Sequence, residues 1–371
     1  MPEASSLVRP EVLALAPYNS GLTIGEVLDR YAPARIAKLG SNESPLGPAP
    51  AVSELAALTT DLMRLYPDPQ GRALCHAIGA RFSISDEQVI LGNGSEDLIS
   101  VICRAILRPG DRVITPYPSF PLHEDYATVM GAIVQRVPVG PGFAMDVDGI
   151  CAALQKPARL LIFSNPMNPV GTALPVAELE RLIAAAPRDV LIVIDEAYAE
   201  YMSAPGSITA IDLLRKVDRP WVVLRTFSKA YGLAGLRLGF GLVDSLEFAQ
   251  ILSRVRTPFN ANAVAQAAAL AALADDSHLA QVVGLARTEC HRIDVFLREQ
   301  GFQTAPSAAN FIFFDCQRPA VDFAEELLRR GVIVKPWKQA GFERFVRVTA
   351  GSRNDSDQFM AAVAEIGAAT S

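Results

Sequence analysis

The chain has 371 residues, half of them apolar and 20% charged, with a formal net charge of −6 at pH 7. This composition allows a large folded core and excludes a disordered chain, and the acidic balance gives no support for nucleic-acid binding. The five cysteines are scattered without disulfide or metal spacing, which favours a reducing cytoplasm and no bound metal. No apolar run approaches the length that crosses a membrane, and the N-terminus lacks a signal-peptide pattern.

Helical patterns alternate with short apolar runs between about residues 50 and 255. The runs predict strands near Val89–Leu91, Val113–Thr115, Leu160–Ser164, Val190–Asp195, Val222–Arg225 and Leu238–Leu242. This rhythm is typical of an α/β fold, with a mostly parallel sheet between two layers of helices. Right-handed crossovers would bring the loops that follow the strands to one edge, where such sheets bind ligands.

The first of these loops is glycine-rich and contains Gly94 and Ser95, ahead of a helical pattern that starts with Glu96 and Asp97. Glycines let the backbone approach a ligand closely, and a helix N-terminus offers free N–H groups with a partial positive charge. The loop is therefore a candidate phosphate cradle. The alternative is a plain connecting turn, which is the more common role of such a sequence.

Two later loops present polar side chains at the same edge. Asn168 lies between two prolines after the run Leu160–Ser164. Its side chain could face a hydroxyl group on the ring of a bound ligand, or the residue could belong to an ordinary Asn-Pro turn. Asp195 ends the run Val190–Asp195. A carboxylate at this position could keep the ring nitrogen of pyridoxal phosphate protonated, and its alternative role is a helix cap.

Lys229 follows the run Val222–Arg225, and Arg237 comes eight residues later. The chain has six lysines against 28 arginines, so a lysine beside a buried strand calls for a specific reason. A desolvated amine loses its proton and can form a Schiff base with a carbonyl, which arginine cannot do. Taken alone, Lys229 could also be an exposed lysine just past a strand.

The last third of the chain predicts a smaller domain. The alanine-rich stretch Ala261–Gln300 predicts one or two helices that link it to the larger domain. Further helices are expected at Val321–Arg330 and Asp355–Ile366, and strands at Asn310–Phe314, Gly331–Val334 and Phe345–Val348. We expect residues 46–258 to form the large domain and 259–371 the small one, with residues 1–45 packing on the small domain or across a dimer.

Together these segments resemble the fold-type I aminotransferases that use pyridoxal phosphate, over nearly the whole chain and in the same order. The closest likeness is to the histidinol-phosphate aminotransferases. It rests on Asn42-Glu43-Ser44-Pro45, on Tyr66-Pro67-Asp68 and above all on the segment Thr226–Arg237. The resemblance implies a pyridoxal-phosphate transferase fold and a homodimer with a shared active site. It also implies a small-molecule amino donor and a 2-oxo acid acceptor that react in turn.

The resemblance also implies a role for each candidate residue. Lys229 would form the Schiff base and move the substrate proton, Asp195 would pair with the ring nitrogen, and Tyr198 and Asn168 would bind the phenolic oxygen. Phe120 would stack on the ring. The phosphate would be surrounded by Gly94, Ser95, Glu96, Thr226, Ser228 and Arg237, with Tyr66 from the neighbouring subunit. The substrate would contact Arg347, Lys335, Tyr18 and Asn42.

Departures from the histidinol-phosphate pattern fall at the substrate end. Lys335 stands where the family usually has arginine, Phe259 stands where it often has tyrosine, and residues Ala16–Gly21 match only in part. Histidinol phosphate as donor and 2-oxoglutarate as acceptor form the leading prediction. The alternatives are an aromatic or other amino-acid aminotransferase and a threonine-phosphate-type decarboxylase. A non-catalytic module is disfavoured because the expected catalytic side chains are all present.

Overall fold

A computed structural model describes residues 4–17, 21–55, 59–202 and 209–368. The helices of this part of the chain are α1 Pro10–Leu13, α2 Ile24–Tyr31, α3 Pro50–Ser53, α4 Thr59–Met63, α5 Arg72–Phe82, α6 Ser95–Ile106, α7 Pro121–Val129, α8 Val147–Ala153, α9 Val176–Ala185, α10 Ala199–Met202, α11 Ala210–Leu214, α12 Leu246–Ser253, α13 Ala263–Leu273, α14 Asp276–Glu299, α15 Ala320–Arg329 and α16 Arg353–Ala368. The strands are β1 Ala37–Lys38, β2 Val89–Gly92, β3 Arg112–Tyr117, β4 Ile133–Pro138, β5 Leu160–Ser164, β6 Leu191–Asp195, β7 Trp221–Thr226, β8 Gly239–Val243, β9 Gln303–Thr304, β10 Phe311–Asp315, β11 Val332–Ile333, β12 Lys335–Pro336 and β13 Phe345–Thr349.

Within these residues, seven strands form the central sheet in the order β2-β8-β7-β6-β5-β3-β4. The strands from β7 to β4 are parallel to one another, and β8 is antiparallel to both β7 and β2. The predicted α/β class with a mostly parallel sheet is therefore confirmed. Because both β2 and β7 are antiparallel to β8, β2 runs in the same direction as β7. The carboxyl ends of β2, β5, β6 and β7 consequently meet at one edge.

The inner strands β5, β6, β7 and β8 of the central sheet are buried on both faces, which makes them a rigid support for the loops at that edge. Alternate residues of β6 belong to opposite layers: Ile192 and Ile194 pack in one core cluster, and Leu191 and Val193 in another. Burial of each such side chain stabilises the fold by roughly 1.5–3 kcal/mol. The continuous apolar runs that predicted these strands reflect this burial on two faces.

Strand β4 was not predicted. It lies at the edge of the sheet, and most of its residues keep some exposure to solvent. Gln135 and Arg136 interrupt its apolar residues, so it lacks the continuous apolar run by which the buried strands were recognised.

A second, antiparallel sheet has the order β12-β13-β10-β9, and β1 pairs in parallel with β11. The pairing of Ala37 with Val332 attaches the N-terminal segment to the C-terminal part of the chain. Helices α13 and α14 occupy the alanine-rich stretch, as predicted, while the domain boundaries themselves stay a prediction. Among the described residues, no helix is long and apolar enough to cross a membrane, and no group of three or more histidine, cysteine or acidic side chains could hold a metal ion.

Candidate active site

A cavity of about 390 Å³ opens where the carboxyl ends of the central strands meet the smaller sheet. Many of its lining residues were predicted from the sequence as site residues. These are Gly94, Ser95, Glu96, Phe120, Asn168, Asp195, Tyr198, Thr226, Ser228, Lys229, Arg237, Lys335 and Arg347. The fold thus brings together side chains that lie up to 253 positions apart in the sequence, from Gly94 to Arg347.

One end of the cavity is suited to an anion. Helix α6 begins after Gly94, which has φ of 84°, and no side chain caps the first free N–H groups of the helix. A Cβ atom at Gly94 would lie 2.7 Å from Arg237 Nη2, and a Cβ atom at Gly239 would overlap the amide nitrogen of Ser95. Glycine at both positions therefore lets the helix N-terminus, the guanidinium and strand β8 come close together.

The side chains around this end are already oriented by one another. Arg237 Nη1 donates to Ser228 Oγ at 3.5 Å, and Arg237 Nη2 lies 3.9 Å from Glu96 Oε2. The hydroxyl of Tyr126 donates to Glu96 Oε1 at 3.0 Å. The backbone N–H of Ser228 donates to Thr226 Oγ1 at 3.1 Å, which closes the turn after β7. An anion here would meet backbone N–H groups and the Arg237 guanidinium.

Asp195 lies buried at the end of β6 and is held on both carboxylate oxygens. Oδ1 accepts the backbone N–H of Ala197 at 3.1 Å, and Oδ2 lies 3.2 Å from His123 Nε2. His123 is fully buried in α7, with its ring edge-on to Phe120. No histidine was given a role from the sequence, so His123 was missed. Its place in the first turn of α7, three residues after the N-cap Phe120, gives little indication of its contact with Asp195.

Lys229 is partly buried and faces the same cavity. Its Nζ donates to the carbonyl oxygen of Ser41 at 2.7 Å and lies 6.0 Å from the ring centre of Tyr198. Withdrawal from water lowers the pKa of Lys229 from the ordinary 10.5 to about 7, and the positive charge of Arg347 acts in the same direction. Much of this amine is therefore unprotonated near neutral pH, as a nucleophile or a base requires.

Two cations face the cavity from the smaller sheet. Arg347 is buried; it donates from Nη1 to Asn168 Oδ1 at 2.6 Å and from Nη2 to the Gly40 carbonyl at 2.9 Å. Lys335 lies directly opposite Arg347 in the β12–β13 pair. Burial and the charge of Arg347 lower the pKa of Lys335 to about 8. Cross-strand partners share one face of a sheet, so both charges face the same cavity.

Two predicted site residues that the structure describes, Tyr66 and Asn42, do not line the cavity. Tyr66 is 82% exposed and stacks on Phe259, with ring centres 4.5 Å apart. Asn42 is fully buried, and its side chain contacts Tyr198 and Thr349 behind the cavity, so its expected contact with substrate stays a prediction. Tyr18 lies outside the described residues.

The chain is similar to known proteins over nearly its whole length. The family model "Aminotransferase class I and II" matches residues 34–363. The chain is 57% identical to histidinol-phosphate aminotransferase 1 of Mesorhizobium japonicum over 366 residues, which are 99% of this chain and 100% of the relative. It is 52% identical to histidinol-phosphate aminotransferase 3 of Rhizobium meliloti, with 97% of each covered. A crystal structure of histidinol-phosphate aminotransferase from Sinorhizobium meliloti in complex with pyridoxal-5'-phosphate superposes with a TM-score of 0.88 at 28% identity, over 99% of both chains.

Proposed function

The chain belongs to the class I and II aminotransferases, and from this we propose that it moves the amino group of histidinol phosphate to 2-oxoglutarate. It is an aminotransferase with pyridoxal 5'-phosphate as its cofactor. One observation supports the proposal above all others. A single cavity joins a lysine of lowered pKa, a buried carboxylate and an uncapped helix N-terminus flanked by arginine.

The groups around the cavity fit this cofactor. The N-terminus of α6 and Arg237 suit the phosphate, and Asp195 suits the ring nitrogen. Tyr198 and Asn168 would bind the phenolic oxygen, and Phe120 would cover one face of the ring. When bound, the cofactor supplies an aldehyde that condenses with amines and a ring that delocalises the negative charge left at the substrate Cα.

The protein's own contribution is to hold and move protons and to orient the substrate. Lys229 Nζ would take the proton from the substrate Cα and return it, since its lowered pKa leaves it able to do both near neutral pH. The carboxylate of Asp195, oriented by His123, would hold a proton at the ring nitrogen. Donor and acceptor would occupy the same cavity in turn, which gives ping-pong kinetics.

Arg347 and Lys335 support the choice of substrates. The carboxylate of 2-oxoglutarate would bind the guanidinium of Arg347. Histidinol phosphate has no carboxylate, and its phosphate would instead meet the paired charges of Arg347 and Lys335. The identity of 57% to a histidinol-phosphate aminotransferase supports this donor.

We also propose a cytoplasmic homodimer. The five cysteines are unpaired, as in proteins of a reducing compartment. The ring of Tyr66, which is exposed and does not line the cavity of its own chain, would reach the cofactor phosphate of the neighbouring subunit.

One observation favours a second donor class, the aromatic amino acids. A neighbouring cavity of about 340 Å³ is lined by Phe120 and Trp337 and shares Lys335 and Arg347 with the first. Lysine at position 335 also binds phosphate without the bidentate geometry of arginine. An aromatic side chain could pack in this second cavity while Arg347 bound its carboxylate.

A half-reaction screen decides between the two donors. The protein loaded with cofactor is mixed with histidinol phosphate, phenylalanine, tyrosine or histidine, and the loss of the aldehyde absorption band is followed. We expect a fast response to histidinol phosphate. A response confined to aromatic amino acids would replace the donor and keep the reaction class. Lys229→Ala is the control, and full turnover by this variant would contradict the proposed mechanism.

A further inference from the structure

Asn42 lies directly behind the cavity lining and is completely buried. Its φ of 56° falls in the left-handed region that asparagine and glycine adopt more readily than other residues. The carbonyl groups of the two preceding residues accept hydrogen bonds from Arg347 and Lys229. The side chain of Asn42 contacts a third group of the site, because its Nδ2 donates to the hydroxyl oxygen of Tyr198 at 2.8 Å.

Thr349 orients the side-chain amide of Asn42. Its Oγ1 accepts the backbone N–H of Asn42 at 2.9 Å and donates its single proton to Asn42 Oδ1 at 3.0 Å. This contact turns the amide oxygen toward Thr349 and the amide nitrogen toward Tyr198. The oxygen of Tyr198 therefore accepts a hydrogen bond from Asn42 Nδ2, and the hydroxyl proton of Tyr198 is directed to a different acceptor.

The surroundings hold Asn42 in this orientation. Asn310 Nδ2 donates to the main-chain carbonyl oxygen of Asn42 at 3.1 Å. Asn310, Thr349 and Tyr198 are all buried. Away from water, a donor bound to a hydroxyl oxygen strengthens that hydroxyl as a donor in turn. The hydrogen-bond chain from Thr349 through Asn42 thus polarises Tyr198.

We propose that Asn42 is a positioning residue that makes Tyr198 a directed hydrogen-bond donor to the phenolic oxygen of bound pyridoxal phosphate. This inference rests on the proposed function, in which Tyr198 binds that oxygen. In the loaded protein, the phenolic oxygen of the cofactor would share a proton with Nζ of Lys229, which is bonded to the cofactor. A phenolic oxygen that accepts a strong hydrogen bond holds this shared proton less strongly. Asn42 therefore lowers the pH at which this proton is lost, without touching the cofactor.

The test is the pH midpoint of the absorption band of the protein-bound cofactor, measured together with the affinity for the cofactor. Asn42→Gly keeps the left-handed backbone and removes the amide, while Asn42→Asp keeps the shape and replaces the N–H donor with a carboxylate oxygen. We expect Asn42→Gly to raise the midpoint by about one pH unit, which is roughly a tenfold change in proton affinity. Asn42→Asp should raise it further, because Tyr198 would then donate to the carboxylate.

Tyr198→Phe provides the matched background, since it removes the hydroxyl through which Asn42 is inferred to act. In that background Asn42→Gly should leave the midpoint unchanged, whereas a merely structural effect would persist. An unchanged midpoint in otherwise wild-type protein, or a full shift in the Tyr198→Phe background, would overturn the role of Asn42. A wild-type protein that shows no cofactor band at all would refute the proposed function instead.

Discussion

Lys335 gives the cavity a positive charge that depends on pH. Its pKa is lowered to about 8, so the amine loses its charge as the pH rises through that value. Arginine stays protonated over the whole range. We therefore expect the KM for histidinol phosphate to rise above pH 8 in the wild-type enzyme and to stay nearly constant in Lys335→Arg.

Steady-state kinetics on both sides of pH 8 measure this difference. Lys338→Arg, a change of the same kind at a nearby lysine that does not line the first cavity, is the control and should keep the wild-type pH dependence. An identical rise of KM in the wild-type enzyme and Lys335→Arg would show that Lys335 does not bind the phosphate.

Some residues of the site could be predicted from the sequence, and others could not. Lys229 and Asp195 were predicted because each follows a buried strand and has a chemistry that few side chains share. His123 could not be predicted, because its partner Asp195 is 72 positions away and a histidine in a helix has many possible roles. The contacts of Asn42 could not be predicted for the same reason, since only the folded chain brings Tyr198 and Thr349 beside it.

At the scale of elements, the anion site depends on the close approach of α6 to strand β8. A Cβ atom at Gly239 would overlap the Ser95 amide nitrogen, which belongs to backbone and cannot rotate away. Gly239→Ala should therefore displace the N-terminus of α6 and weaken cofactor binding by on the order of tenfold or more, because the phosphate loses aligned N–H donors.

Fluorescence titration with the cofactor measures this loss. Gly241→Ala is the matched control: it lies two residues along the same strand, and its new methyl group would meet side-chain atoms of Ile90, the nearest at 3.0 Å, before any backbone atom. Equal affinities of the two variants would argue against an anion site at the start of α6.

The elements also differ in how well the sequence predicted them. Buried strands and the two helices of the alanine-rich stretch were predicted because their patterns reflect burial directly. The edge strand β4 was not predicted, because its partial exposure interrupts the apolar pattern. The antiparallel direction of β8 was not predicted either, because the apolar pattern of a strand does not depend on its direction. The predicted strand Gly331–Val334 is in fact β11, and the chain then enters β12 at Lys335.

At the scale of the whole molecule, the proposal requires two chains for each complete site. Lys229→Ala removes the amine from its own cavity, and Tyr66→Ala removes the ring that would reach the neighbouring cavity. Each variant alone should be impaired when the cofactor is limiting. Mixed and reassociated, the two should regain activity, because one site of each hybrid dimer keeps both Lys229 and the partner's Tyr66.

Activity of the mixture at limiting cofactor is the measurement, together with the molecular mass in solution, expected near twice 39.8 kDa. Tyr117→Ala is a suitable control for loss of a tyrosine, because Tyr117 contacts Ala340 and Phe342 of its own chain. A mixture no more active than its components would contradict a shared active site.

Lys229 is proposed to bond the cofactor covalently, and borohydride reduction followed by peptide mapping detects that bond itself. The protein is loaded with pyridoxal phosphate, reduced, digested and analysed by mass spectrometry. We predict that the cofactor is fixed on the peptide that contains Lys229, and that the other five lysines of the chain stay unmodified. Stoichiometric fixation at another lysine, or none in protein that retains the cofactor, would contradict the account.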